Sequence, residues 1–131
     1  NMKVGVLLVT HVSIGRSLVQ TVQDMLDDMP LNIETLEVRR VRDTGALTSQ
    51  GRKLVERLDQ GAGVLILTDA YGSTPSNIAN LIAEENCRVV SGVNLPMLVS
   101  VCNYPDRNLQ ALADMALQGG RDGIVVCQGD N

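Results

Sequence analysis

A chain of 131 residues with 44% apolar side chains is long enough for one domain with a substantial core. Trp and Phe are absent and Tyr71 and Tyr104 are the only aromatics, so the core is aliphatic and a flavin site built on aromatic stacking is excluded. Eleven Lys and Arg against 15 Asp and Glu give a net charge of −4, which argues against a nucleic-acid partner. Arg39, Arg40 and Arg42 form the one basic cluster and read as a short surface run.

In chain order, Asn1 stands ahead of Met2 and is set aside as a remnant. The first strand-like run covers residues 3–9 and is apolar nearly throughout, as in a strand buried on both faces of a parallel sheet. His11, the sole histidine, follows it. Leu18, Val22, Met25, Leu26 and Met29 then mark one face of a helix that stops before Pro30. A second strand is expected over 32–38, and Leu47, Leu54, Val55 and Leu58 mark a helix ended by Gly61. A third strand over 63–68 precedes a helix carrying Ile78, Leu81 and Ile82. A fourth strand is expected over 96–101, then a helix with Leu109, Leu112, Ala113 and Ala116 closed by Gly119 and Gly120, then a fifth strand over 123–127. Strict alternation predicts right-handed crossovers and an α/β, doubly wound three-layer sandwich with a mostly parallel sheet; a flavodoxin-like order, 2-1-3-4, is the expectation. Residues 2–131 form a single domain in this reading, with no linker, repeat or low-complexity tract.

Cys87, Cys102 and Cys127 are odd in number and widely spaced, which reads as reduced, mostly buried thiols. No apolar span of about 18 residues and no signal peptide occurs, so a cytoplasmic protein is expected. The spacing of His and Cys fits no metal site, and neither metal nor cofactor is expected.

In doubly wound folds the loops after the strands carry function. The loop at residues 9–15 holds His11, the one side chain able to act as a neutral nucleophile or acid/base near neutral pH. The loop at 68–77 holds Asp69, which lies beside His11 if the first and third strands are neighbours. A carboxylate on one ring nitrogen would fix the tautomer and leave the other lone pair free. The turn Gly72, Ser73, Thr74 before a helix opened by Pro75 offers N–H groups and hydroxyls suited to a phosphoryl group. A third loop, 92–97, enters the fourth strand in this reading. Each feature has a plainer meaning: a satisfied histidine, an aspartate in a turn or cap, a turn before a helix, a tight strand entry. A Walker loop is absent, a receiver domain would carry an acidic pair where Thr10 and His11 stand, and histidine phosphatases need a second histidine.

Taken together, GVLLVTH (5–11), TDAYGSTPSNIA (68–79) and SGVNLPML (91–98) resemble the IIA domain of the mannose family of the bacterial phosphoenolpyruvate-dependent sugar phosphotransferase system. The resemblance covers essentially the whole chain. It implies a phosphotransferase with a phosphohistidine intermediate, in which His11 accepts phosphate from the phosphocarrier HPr and passes it to a IIB component. Asp69 matches the aspartate that orients the ring, which implies Nε2 as the phosphorylated atom, and Gly72, Ser73 and Thr74 match the phosphoryl-binding turn. Thr74 falls where the family usually has serine, Ser73 where glycine is frequent, and Tyr71 where tryptophan is frequent. The resemblance also implies a homodimer that exchanges its C-terminal antiparallel strand, here 124–127. No Ala/Pro-rich linker or fused IIB domain follows within the 131 residues, so a IIA unit alone is expected. Two further readings share the fold: a regulatory module whose phosphorylation state controls a partner, and the phosphotransfer subunit of a dihydroxyacetone kinase, against which the 71–77 stretch argues.

Overall fold

The computed structural model describes residues 2–39 and 43–128. Asn1, Arg40 and Arg42 lie outside the described residues, and Arg39 is exposed. The elements run β1 (Gly5–His11), α1 (Ile14–Met25), β2 (Ile33–Val38), α2 (Thr44–Leu58), β3 (Val64–Thr68), α3 (Thr74–Ile82), β4 (Cys87–Val90), α4 (Leu95–Asn103) and α5 (Leu109–Asp122). The four strands form a parallel sheet in the order β2-β1-β3-β4, the flavodoxin-like order expected.

The period-2 geometry of a strand explains why β1 and β3 are apolar throughout. Val6 and Leu8 of β1, with Leu65 and Leu67 of β3, enter a core layer completed by Val22 of α1, Leu98 and Val101 of α4 and Leu112 of α5. Leu7 and Val9, with Val64 and Ile66, face the opposite layer against Val55 and Leu58 of α2 and Ile78 and Ile82 of α3. β1 is therefore central, and its carboxyl end is fixed by packing on both sides. His11 is the first residue of the strand to leave the core.

Two expectations need correction. Residues 96–101 are helical, not a strand. Asn94 caps α4 by accepting the Met97 N–H at 2.9 Å, and Pro96 sits in the first turn, where its missing N–H leaves nothing unpaired. The fourth strand is instead β4, four residues long and interrupted by exposed Arg88, too short and too polar to stand out in the sequence. Gly119 and Gly120 do not end the last helix, which continues to Asp122. They let α5 press on α4: a Cβ at Gly119 would lie 2.4 Å from the Cβ of Ser100. Residues 123–127, expected to pair with a partner subunit, form no strand within the single chain, and Ile124, Val125 and Val126 are exposed. Of the cysteines, Cys87 and Cys102 are buried, which raises both thiols above their ordinary pKa, and Cys127 is exposed.

Gly5 opens β1 under the end of α2, where an added Cβ would stand 2.6 Å from the Leu58 carbonyl oxygen. Both groups are backbone held in core elements, so neither can swing aside. Gly5→Ala is expected to lower unfolding stability by about 1–3 kcal/mol in urea titrations, and an unchanged midpoint would show that α2 is not seated so closely on β1.

Candidate active site

The loops following β1, β3 and β4 meet at the carboxyl edge of the sheet. β1 and β3 pair with Val9 opposite Thr68, which carries His11 and Asp69 beyond the last rung side by side. One oxygen, Asp69 Oδ2, accepts both the backbone N–H of His11 at 2.9 Å and its ring Nδ1 at 2.7 Å. The other oxygen, Oδ1, accepts the N–H of Ala70 at 2.8 Å. The Asp69 side chain is 11% exposed and the His11 ring 49%.

Burial alone would push the Asp69 carboxyl up; the hydrogen bonds from His11 N–H, the His11 ring and Ala70 N–H, with the attraction of the ring, outweigh it and hold the pKa below its ordinary value. The carboxylate is therefore ionised, and Nδ1 must carry the proton it shares. Nε2 is left with its lone pair. This is the division of the ring that a nucleophilic histidine needs.

The third loop holds the second in place. Gly92 N–H donates to the Asp69 carbonyl at 2.7 Å and Val93 N–H to the Thr68 carbonyl at 2.9 Å. The buried Thr68 hydroxyl donates to Ser91 Oγ at 2.9 Å. Because 92–97 leaves β4 and enters α4, it belongs to the same edge as the other two loops.

The turn at Gly72, Ser73 and Thr74 opens α3 beside Asp69. Gly72 takes φ 80°, which a side chain would strain. Ser73 is the N-cap residue, yet its hydroxyl donates to the Ala70 carbonyl at 2.6 Å and its N–H to the same oxygen at 3.2 Å. Its two protons are thus committed to closing the turn. Thr74 heads the helix, where backbone N–H groups lack intrahelical partners and favour an anion.

One contributor escaped the sequence reading. The buried Thr10 hydroxyl donates to the His11 carbonyl at 2.8 Å and accepts the Gly15 N–H at 2.8 Å, joining the end of β1 to the start of α1. A polar residue ending an otherwise apolar strand is the signal that could have marked it.

With this geometry in view, comparison with known proteins is decisive. The sequence matches the EIIA-man family, described as PTS system fructose IIA component, over residues 5–117. The chain belongs to this family. It is 28% identical over 127 residues to the mannose-specific EIIAB component of Escherichia coli K12, a match covering 94% of this chain and 39% of that protein, so the chain spans about two fifths of its relative. Its fold is that of the mannose/sorbose-specific IIA subunit from Enterococcus faecalis, with a TM-score of 0.78 at 22% identity over 99% and 98% of the two chains. A sigma-54 interaction domain protein from the same organism shares the fold too, with a TM-score of 0.76 at 18% identity over 93% of each chain. The family description is that of a IIA component of a phosphotransferase system, and the mannose-specific relative is itself a phosphotransferase-system component. Among the described residues, no helix is long and apolar enough to cross a membrane.

The shared Asp69 oxygen makes a direct prediction. Imidazole nitrogen NMR of the neutral ring is expected to show the Nδ1–H tautomer, and Asp69→Ala to lose that preference; the same tautomer in both proteins would detach Asp69 from the ring. The lowered Asp69 pKa also sets a sign. Its stabilisation is present above the ordinary carboxylate value of 3.8 and is lost as pH falls through the lowered folded value. Asp69→Asn should therefore flatten the acid limb of the stability profile.

Proposed function

We propose that His11 is the residue phosphorylated in this IIA component, through Nε2, with the phosphocarrier HPr as donor and a IIB component as acceptor. The observation that carries this reading is the Nδ1 contact to Asp69 at 2.7 Å, which leaves Nε2 as the nucleophilic atom of a half-exposed ring. In the forward step Nε2 attacks phosphorus in line, the new N–P bond forms, and the bond to the donor's leaving atom breaks. The ring then carries positive charge, which the Asp69 carboxylate stabilises without giving up its role as acceptor. The head of α3, with the Gly72 and Thr74 N–H groups and the Thr74 hydroxyl, supports binding of the phosphoryl oxygens. Ser73 contributes by holding the turn, since its protons are spent on Ala70.

A protein-borne phosphoryl group suits the surroundings. Tyr71 is 88% exposed at the rim. An open apolar depression of about 390 Å³, lined by Val12, Ile14, Ser17 and Leu18, begins one residue beyond His11. A partner that presses on these groups would cover the half-exposed ring while transfer occurs.

The same reading extends to the C-terminal segment. Ile124, Val125 and Val126 form an exposed β-branched run, and β4 is an edge strand, a combination that favours pairing between two copies in a homodimer. Residues 2–131 act as one IIA domain in this proposal. A regulatory role for the same phosphohistidine is the second reading, favoured by the shared fold of the sigma-54 interaction domain protein; capture of a partner that depends on the phosphorylation state, with no IIB accepting phosphate, would select it.

Incubation with phosphoenolpyruvate, Enzyme I and HPr is expected to give acid-labile, alkali-stable phosphate on the wild type and none on His11→Ala. Equal labelling of the two removes His11 from the mechanism. Asp69→Asn should slow transfer by about a hundredfold with the fold intact. For the assembly, light scattering is expected to give a dimer mass that falls to the monomer in Val125→Asp; an unchanged mass would exclude the segment from the interface.

A further inference from the structure

Two local preferences are broken within five residues of His11. Ser13 is the one non-glycine residue with positive φ among the described residues, at 71°, a conformation glycine takes without strain. Arg16 puts a cation in the first turn of α1, where the unpaired N–H groups favour an anion, and that turn holds no acidic residue. Ser13 is also the N-cap of α1, yet its side chain caps nothing.

Both irregularities are answered by one residue on another strand. Glu37 of β2 lies opposite Thr10 in register. Its neighbours Leu36 and Val38 face the α2/α3 layer, so Glu37 faces the layer that holds α1. Glu37 Oε1 accepts the Ser13 N–H at 3.3 Å and stands 3.4 Å from Arg16 Nε. Arg16 Nη2 donates in turn to Ser13 Oγ at 3.2 Å. The three residues form a closed ring. Glu37 supplies across the sheet the negative charge that the first turn of α1 lacks, and it holds the N–H of the left-handed residue.

We infer that Glu37 is a positioning residue for His11, acting through Ser13 and Arg16; the inference rests on His11 being the phosphoryl acceptor. The Asp69 bond fixes one atom of the ring, and a ring held at one atom can still rock about that bond. Its swing is limited by the backbone on either side. Thr10 grips the His11 carbonyl, and the Glu37 ring closes the turn that follows, so the strand end cannot twist without breaking one of them. In-line attack by Nε2 requires that restraint.

The test measures single-turnover transfer from phosphorylated HPr at saturating donor, beside the thermal midpoint, for Glu37→Ala, Glu37→Gln and Glu37→Ala combined with Ser13→Gly. Glu37→Ala is expected to slow the saturated rate about tenfold while half-saturation moves little. Adding Ser13→Gly, which relieves the left-handed strain, should restore the midpoint and leave the rate low. Glu37→Gln keeps an acceptor for Ser13 but loses the charge facing Arg16, so an intermediate rate is expected, and it serves as the readout if Glu37→Ala does not fold. A saturated rate within about twofold of wild type in the folded variants, or a rate that recovers together with the midpoint, would overturn the inference. A wild type that takes no phosphate overturns the reading of His11 itself, and the inference with it.

Discussion

A single carboxylate oxygen organises the active edge of this protein. Asp69 Oδ2 receives both the backbone and the ring of His11, so position and tautomer of the imidazole are set by one atom. The arrangement is possible only because β1 and β3 are adjacent and in a register that pairs Val9 with Thr68, so that Asp69 comes one residue and His11 two residues after the last rung. Both strands are buried on both faces, and slipping one against the other by one residue would drive its Leu, Ile and Val side chains into the opposite, differently shaped core layer. The chemistry inherits its precision from the core.

The carboxylate is itself held. Ala70 N–H binds its second oxygen, the Gly92 N–H fixes its backbone carbonyl, and Ser91 fastens the preceding Thr68. Three loops from three strands thus form one hydrogen-bonded rim. The rim lies where a doubly wound sheet leaves its strand ends open, and the head of α3 points its N–H groups there. An Asp69 kept ionised in a site only 11% exposed needs these donors; burial without them would favour the neutral acid and release the ring proton.

Much of this was legible in the chain. The continuous apolar runs of β1 and β3 marked central parallel strands, and the juxtaposition of His11 and Asp69 followed from their being neighbours. The difficulty lay where one pattern serves two structures. The run around residues 96–101 fits a short buried strand as well as a helix, and only the Asn94 cap decides for α4. β4 escaped notice because an edge strand of four residues has no long apolar signature. Gly119 and Gly120 look like a helix stop until α4 is known to lie against them. Ser73 poses a related difficulty: spacing shows a hydroxyl near the site but not that its proton is engaged by Ala70. Glu37 and Arg16, far apart in sequence, gave no local signal at all.

The openness of the site bears on how it handles water. A cavity of about 470 Å³ between α2 and α3, lined by Arg52, Asp59 and Asn86, lies at the amino ends of the strands, away from His11. The histidine itself stands half-exposed on an open edge. A phosphoramidate bond formed there is reachable by water unless something covers it. No segment of the described chain folds over the ring, and the groups around it, Tyr71, Val12 and Ile14, are apolar or aromatic and turned outward. In the proposed transfer, the exclusion of water falls to the macromolecule that docks. That division of labour agrees with a carrier: a relay that sheltered its own phosphoryl group in a deep pocket would shield it equally from the next protein in the chain.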